Sequence, residues 1–113
     1  MSIYNVEIDK YGNKYYYVNK TLHREDRSAI EYADGSKYWY KNGLLHRENG
    51  PAVDCTDGLK SWDKNGELHR EDGPAIEWDT GAKNWYLNNK EYGVNDDFTN
   101  ESWKRFIKTL IFS

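Results

Sequence analysis

Three histidines are the first residues whose type and spacing suggest chemistry. His23, His46 and His69 each open a His-Arg-Glu triplet, and successive triplets are 23 residues apart. Histidines that share a zinc ion must bring their nitrogens to about 2.0–2.1 Å from it. If each unit contributes two strands, equivalent histidines lie roughly 9.6 Å apart. The spacing therefore predicts no metal site. Each triplet is expected to close its own turn, with the histidine bonded to a turn carbonyl and Arg and Glu paired along the ladder.

An aromatic column has the same spacing and suggests a stacking platform. It consists of Tyr16, Trp39, Trp62 and Trp85. Rings roughly 9.6 Å apart are too distant for direct aromatic pairs, which need about 4.5–7 Å. We expect these rings to pack in a core beneath a C-terminal helix, and a platform for sugars or bases is the alternative.

No residue of the chain stands apart from the repeat as a candidate catalytic residue. Every histidine recurs as a repeat element, and Cys55 stands where the neighbouring units have Tyr32 and Trp78. One cysteine excludes an internal disulfide. No glycine-rich phosphate loop precedes a helix. The sequence therefore predicts a protein that is not an enzyme and holds neither cofactor nor metal.

Composition limits the classes of partner and location. The 113 residues include 16 Lys and Arg against 19 Asp and Glu, with a formal net charge of −3. The net negative charge of residues 1–98 disfavours direct nucleic acid binding. The chain has no apolar run of about 18 residues, and residues 1–7 lack the basic and apolar regions of a secretory signal. We expect a cytoplasmic protein for which a membrane partner is not favoured.

The elements that carry these residues come from an internal repeat of 23 residues. Its further columns are Gly12, Gly35, Gly58 and Gly81; Lys14, Lys37, Lys60 and Lys83; and Asn19, Asn42, Asn65 and Asn88. A unit this short has no room for a βαβ crossover of roughly 30 or more residues. The repeat therefore predicts an elongated antiparallel β-meander with about eight strands, near residues 3–8, 14–18, 28–33, 37–41, 51–56, 60–64, 74–79 and 83–87.

Turn residues give the expected facing of this sheet. Asn42-Gly43 predicts a type I′ hairpin. If Asp34-Gly35 is a two-residue loop, Ile30 lies opposite Trp39 and Tyr32 opposite Lys37. The other units then pair Val53 with Trp62, Ile76 with Trp85 and Trp78 with Lys83. Tyr38, Tyr40 and Tyr86 would lie on the opposite, solvated face. A three-residue turn with a bulge would shift these pairs.

The C-terminal segment departs from the repeat and predicts a helix. Trp103, Phe106, Ile107, Leu110 and Ile111 form one amphipathic stripe from about residue 100, which Thr99 or Asn100 can cap. We expect two parts, a β-repeat sheet over residues 1–94 and a helix over residues 95–113. The helix is expected to cover the apolar face of the sheet, and self-association as a homodimer through the same stripe is the alternative.

The repeat resembles the MORN family of β-hairpin repeats. The residues that carry the resemblance are Tyr40-Lys41-Asn42-Gly43-Leu44-Leu45-His46 and Trp62-Asp63-Lys64-Asn65-Gly66-Glu67-Leu68-His69. The string Leu68-His69-Arg70-Glu71-Asp72-Gly73-Pro74-Ala75 is similar to a variant in uncharacterised repeat proteins of phages and large DNA viruses. The resemblance covers roughly residues 12–93 and implies hairpin units stacked into an elongated curved sheet.

Repeat architecture and resemblance together predict a non-catalytic protein-binding module. Tyr and Arg are frequent hot-spot residues, so the expected protein-binding residues are Tyr38, Tyr40, Arg47, Arg70 and Tyr86. The resemblance to phage and viral proteins implies an inhibitor of a host protein, of anti-CRISPR or other anti-defence type, in the host cytoplasm. The alternatives are a small-ligand or signalling-nucleotide binder that uses the aromatic strands, and a structural or scaffolding component.

Overall fold

A computed structural model describes residues 3–111 and shows an antiparallel β array followed by a short 3₁₀ helix, Asn95–Asp97, and one α-helix. The β array and the helix together form an elongated molecule of 46 × 31 × 18 Å. The predicted mainly β fold is confirmed. Fourteen strands lie within the described residues, where about eight were expected: β1 Asn5–Ile8, β2 Lys14–Val18, β3 Thr21–Leu22, β4 Ile30–Glu31, β5 Lys37–Tyr38, β6 Tyr40–Lys41, β7 Leu44–Leu45, β8 Val53–Asp54, β9 Lys60–Ser61, β10 Asp63–Lys64, β11 Glu67–Leu68, β12 Ile76–Glu77, β13 Lys83–Leu87 and β14 Lys90–Val94.

Ten strands form one long antiparallel sheet. Its order is β1-β2-β4-β5-β8-β9-β12-β13-β14, and β3 pairs with β2 beside that path. The remaining strands form two separate hairpins, β6 with β7 and β10 with β11. Each central unit therefore has a sheet part and a hairpin part. The sequence pattern predicted the turn of each hairpin but not its second strand, which is β7 in one unit and β11 in the next.

The aromatic column marks where the sheet part ends and the hairpin part begins. The backbone N–H of Trp39 donates to the carbonyl of Ala52 at 2.7 Å, whereas its own carbonyl accepts the N–H of His46 at 3.0 Å. One residue thus bonds to two different neighbours, which interrupts the ladder. The same division occurs at Trp62. The predicted strands at 37–41 and 60–64 are consequently two short strands each.

The two kinds of turn in each unit have different geometry. Asn42 and Gly43 have φ of 52° and 80°, which confirms the predicted hairpin turn with two residues of positive φ. At the other turn, the N–H of Gly35 donates to Tyr32, and the N–H of Tyr32 donates to Ser36. Gly35 has φ of 98°. This is a three-residue loop with a bulge at the glycine, not the two-residue loop that was expected.

The longer loop shifts the register by one residue, so the predicted facing is wrong. Glu31 pairs with Lys37 and Ile30 with Tyr38. One side of the sheet, here called the charged face, alternates in sign along Lys14, Glu31, Lys37, Asp54, Lys60, Glu77 and Lys83. The other side, the tyrosine face, carries Tyr15, Ile30, Tyr38, Val53, Ser61, Ile76 and Asn84.

The helix α1 spans Asn100–Ile111 and packs at one end of the array. Thr99 begins it, because its hydroxyl accepts the N–H of Ser102 at 3.1 Å, as predicted. Trp103 and Ile107 join Trp85 in the largest apolar cluster, with Leu87, Tyr92, Phe98 and Phe106 packed around them. That cluster does not include Ile30, Val53 or Ile76. The helix therefore covers the last unit and is not a cover over the whole Ile/Val face.

Candidate functional site

A guanidinium group lies over an aromatic ring in three successive units. In each pair the arginine Cζ is 3.7 Å from the ring centroid: Arg24 over Tyr16, Arg47 over Trp39 and Arg70 over Trp62. The arginine follows its ring by eight residues each time. Such cation–π contacts stabilise by about 0.5–2 kcal/mol each. Trp39 and Trp62 therefore pack against arginines, not beneath the helix as was expected.

Glycine and proline of the following turn hold the arginine from the other side. A Cβ atom on Gly50 would lie 2.9 Å from Cζ of Arg47, and one on Gly73 would lie 2.7 Å from Cζ of Arg70. The carbonyl of the next residue, Pro51 in the first case, accepts a hydrogen bond from the guanidinium at 3.0 Å. The spacing Arg-x-x-Gly-Pro thus holds the guanidinium groups of Arg47 and Arg70 in one place, whereas Arg27 and Ser28 stand at these positions after Arg24, whose guanidinium donates to the carbonyl of Ser28 at 3.3 Å.

Carboxylates complete two of the three arginine sites. Arg24 Nη1 lies 2.6 Å from Glu31. Arg70 Nη1 lies 2.7 Å from Glu77, and its Nε lies 2.8 Å from Asp72. These partners come from the turn and from the charged face, whereas pairing along the ladder within each triplet was expected. Arg47 has no carboxylate within ion-pair distance among the described residues.

Two open grooves lie between successive arginine turns. The first has a volume of about 500 Å³ between the turns that contain Arg24 and Arg47, with Trp39 in its lining. The second has about 650 Å³ between the turns of Arg47 and Arg70, with Trp62 in its lining. Arg47 is common to both grooves. The repeat therefore places similar clefts side by side, which share their central arginine.

Histidines join each unit to the next rather than lining a metal site. Nδ1 of His23 accepts the backbone N–H of Asn42 at 2.8 Å, and its Nε2 lies 2.6 Å from Glu25. A nitrogen that accepts an N–H carries no proton, so the ring proton is on Nε2 and is donated to the carboxylate. That hydrogen bond lowers the pKa of Glu25. His46 and His69 repeat the arrangement with Asn65 and Asn88.

This geometry corrects the expected hydrogen bond of the histidines. The acceptor nitrogen bonds a backbone N–H of the next unit, not a carbonyl of its own turn. Equivalent histidines do not converge, and no cluster of three or more metal-ligating side chains occurs between residues 3 and 111.

The five predicted binding residues divide between the two faces. Arg47 and Arg70 lie on the charged face, beside the grooves. Tyr38 lies on the tyrosine face opposite Ile30 and Val53, and Tyr40 and Tyr86 are half-buried. Strand alternation from Trp85 places Tyr86 on the side away from the arginines. The structure therefore does not bring the five residues together on one surface.

Burial raises the pKa of several side chains, among them Tyr38 and Asp63. Burial, with the neighbouring thiol of Cys55 at 3.9 Å from its hydroxyl, raises the pKa of Tyr38 to about 12. Asp63 is only 5% exposed and accepts a hydrogen bond from the Ser61 hydroxyl at 2.6 Å. Burial raises the pKa of the Asp63 carboxyl above its ordinary value. Cys55 is half-buried and its contact is with a tyrosine hydroxyl, which identifies a packing position.

The comparisons with known proteins add no relative to this description. Neither the protein-family models, nor the curated proteins, nor the solved structures contain a match to this chain. Within residues 3–111, no helix has the length and apolar character that a membrane crossing requires.

Proposed function

We propose that the chain is a non-catalytic protein-binding module and that the charged face is its contact surface. The observation that carries this proposal is the row of arginines, each fixed over an aromatic ring at 3.7 Å. Arginine and tryptophan are frequent hot-spot residues. Side chains that are already ordered lose little conformational entropy on binding, so such a row suits the recognition of a folded partner.

The proposed class of partner rests on the resemblance of the repeat to phage and viral repeat proteins. On that basis the module is a phage-encoded inhibitor of a host protein, of anti-CRISPR or other anti-defence type, acting in the host cytoplasm. The charged face alternates in sign from Lys14 to Lys83. A surface of this kind supports contact with a protein of mixed charge, because nucleic acid binding needs a continuous basic patch.

Affinity capture from host lysate tests the proposal with variants of the two faces. The double variant Arg47→Ala/Arg70→Ala removes two ordered cations from the charged face, and we expect it to lose the captured protein. Trp78→Ala is the matched control, since Trp78 is 43% exposed and lies beside Asn84 of the tyrosine face. Recovery of no stoichiometric protein, or loss with Trp78→Ala alone, would refute binding through the charged face.

A binder of small ligands or signalling nucleotides is the second candidate. Grooves of about 500 and 650 Å³ have the volume of small-ligand pockets, which favours it. However, Arg47 already lies over the ring of Trp39, and Arg70 over that of Trp62, so one side of each ring is occupied. A thermal-shift screen against nucleotides and sugars separates the two functions, and a rise in Tm with any of these compounds would favour the second.

A further inference from the structure

Arg47 is the arginine of the charged face that has no carboxylate within ion-pair distance among residues 3–111. Its guanidinium contacts the ring of Trp39, the carbonyl of Pro51 and the backbone at Gly50. The equivalent Arg70 has the same kinds of contact and two carboxylates in addition. No side-chain hydrogen bond or ion pair of Arg47 beyond the bond to Pro51 occurs within the described part of the chain.

Two differences between the units explain the missing partner. Asn49 occupies the position of Asp72, so no carboxylate faces the Nε of Arg47. Asp54 occupies the position of Glu77, and it is shorter by one methylene group. Its carboxylate pairs with Lys60 at 2.6 Å and acts on Arg47 only from beyond ion-pair distance, where its charge partly offsets the effect of burial on the pKa of Arg47. Both carboxylates that neutralise Arg70 are therefore replaced or engaged elsewhere in the central unit.

The remaining donors of Arg47 are suited to a carboxylate. The side chain is half-buried, and burial of the cation lowers the pKa of Arg47. A planar carboxylate forms two parallel charge-assisted hydrogen bonds with a guanidinium. Cations and carboxylates are nearly balanced in the lining of the grooves, where Lys41 and Lys64 stand with Glu25, Glu48 and Glu71, so the grooves offer little net attraction to an ion of higher negative charge such as phosphate. The surroundings thus favour a ligand with one negative charge.

We propose that Arg47 binds one carboxylate, an Asp or Glu side chain of the partner protein, at the junction of the two grooves. This inference rests on the proposed protein-binding function for the source of the carboxylate. The complete site is the one in the next unit, where Asp72 and Glu77 neutralise Arg70 from within the chain, and at Arg47 the partner supplies a carboxylate from outside.

Nuclear magnetic resonance of the arginine Nε–Hε groups tests the site on the purified chain. The probe is the blocked peptide acetyl-Gly-Glu-Gly-amide, with acetyl-Gly-Gln-Gly-amide as the neutral control and inorganic phosphate as the competing anion. We expect a saturable shift at Arg47 that exceeds those at Arg24 and Arg70 at least threefold. Equal shifts at the three arginines, no saturation, or tighter binding of phosphate would overturn the proposal.

Exchanging the sequences of the two units provides matched variants that retain every arginine. Asn49→Asp/Asp54→Glu gives the central unit the carboxylates of the next one, and we expect it to reduce the peptide-induced shift at Arg47 at least fivefold. Asp72→Asn/Glu77→Asp makes the reverse change, and Arg70 should then respond to the peptide. An unchanged response at Arg47 in the first variant would contradict the assignment.

The same variants separate this inference from the proposed function. If wild-type protein captures a partner and Asn49→Asp/Asp54→Glu binds it at least tenfold more weakly, both are supported. Equal affinity would overturn the carboxylate site and leave protein binding intact. A peptide response at Arg47 without any captured protein would leave the carboxylate site and refute the protein-binding function.

Discussion

The ring of Trp103 packs against that of Trp85, with 5.4 Å between their centroids. Trp85 is the last member of the aromatic column, and Gly93 stands where the repeat would place its arginine. The helix thus packs against Trp85, which lacks the arginine that its own unit would otherwise place over the ring. The indole N–H of Trp103 also donates to the backbone carbonyl of Arg70 at 2.9 Å, which joins the helix to the preceding unit. Terminal caps of this kind are what repeat arrays need to close an exposed end.

Loss of the Trp103 side chain should destabilise the whole array. Trp103 is fully buried, so Trp103→Ala leaves a cavity and is expected to lower the free energy of unfolding by about 3–5 kcal/mol. Urea unfolding measures the change. Arg105→Ala is the control on the same helix, because Arg105 is exposed, and it should change the unfolding free energy by less than about 0.5 kcal/mol. Equal effects of the two variants would show that the helix is not a structural cap.

Two substitutions at His23 separate the bond within its unit from the bond to the next unit. The side-chain oxygen of Asn occupies the place of Nδ1, so His23→Asn retains an acceptor for the N–H of Asn42. His23→Gln retains a donor for Glu25 and leaves that N–H without its acceptor. Because the histidine side chain is only 9% exposed, we expect His23→Gln to cost about 1–3 kcal/mol and His23→Asn less. Thermal unfolding provides the comparison, and the reverse order would contradict the role given to Nδ1.

Asp63→Asn should stabilise the protein at neutral pH. Burial raises the pKa of Asp63 in the folded state above the ordinary value that the unfolded chain has. The folded state then binds more protons between the two pKa values, so the free energy of unfolding falls as the pH rises through that interval. A tenfold difference in proton affinity between the two states corresponds to about 1.4 kcal/mol. The gain from Asp63→Asn is thus expected to be absent at low pH and complete above the folded-state pKa.

Denaturant titrations from acidic to neutral pH test this dependence. Asp79→Asn makes the same change of charge at an exposed position and is the matched control. It should give a small difference that does not vary with pH in the same way. A loss of stability in Asp63→Asn at neutral pH would show that the charged carboxylate is needed in the fold.

The close contact of Gly73 with Arg70 predicts coupling between these two positions. Gly73→Ala would place a Cβ atom 2.7 Å from Cζ of Arg70, so the guanidinium must leave Trp62 or the turn must shift. We expect a loss of about 1–2 kcal/mol, from the cation–π contact and its hydrogen bonds. In an Arg70→Ala background the same change should cost little, which a double-mutant cycle from urea unfolding measures. Additive losses would mean that the cost of Gly73→Ala does not arise from the contact with Arg70.

The sequence was sufficient for the period, the hairpin turns and the helix, because each depends on local spacing. It was not sufficient for the register, since Asp34-Gly35 is compatible with loops of two or three residues. A usable signal was nevertheless present: only the three-residue loop places Glu31 opposite Lys37 and Glu77 opposite Lys83. Requiring opposite charges to pair across strands would have selected it.

The arginine sites were harder to foresee, because they depend on contacts in three dimensions. The contact between Arg47 and Trp39 spans eight residues and crosses from the turn to the sheet, a separation that neither strand nor helix periodicity reveals. The missing carboxylate at Arg47 was visible as Asn49 and Asp54 in the sequence. Its meaning required the structure, which shows that Asp72 and Glu77 both bind Arg70 in the next unit.

The two ends of the array differ in burial, so we expect unfolding to begin at the end that contains β1. At the C-terminal end, Trp85, Trp103 and Ile107 are buried together. At the other end, every residue of β1 from Asn5 to Ile8 is exposed, and the strand is held by β2 alone. Each histidine bonds one unit to the next, so separation of β1 leaves the later boundaries intact. The amide hydrogens of β1 should therefore exchange with solvent first, and those beside Trp85 last.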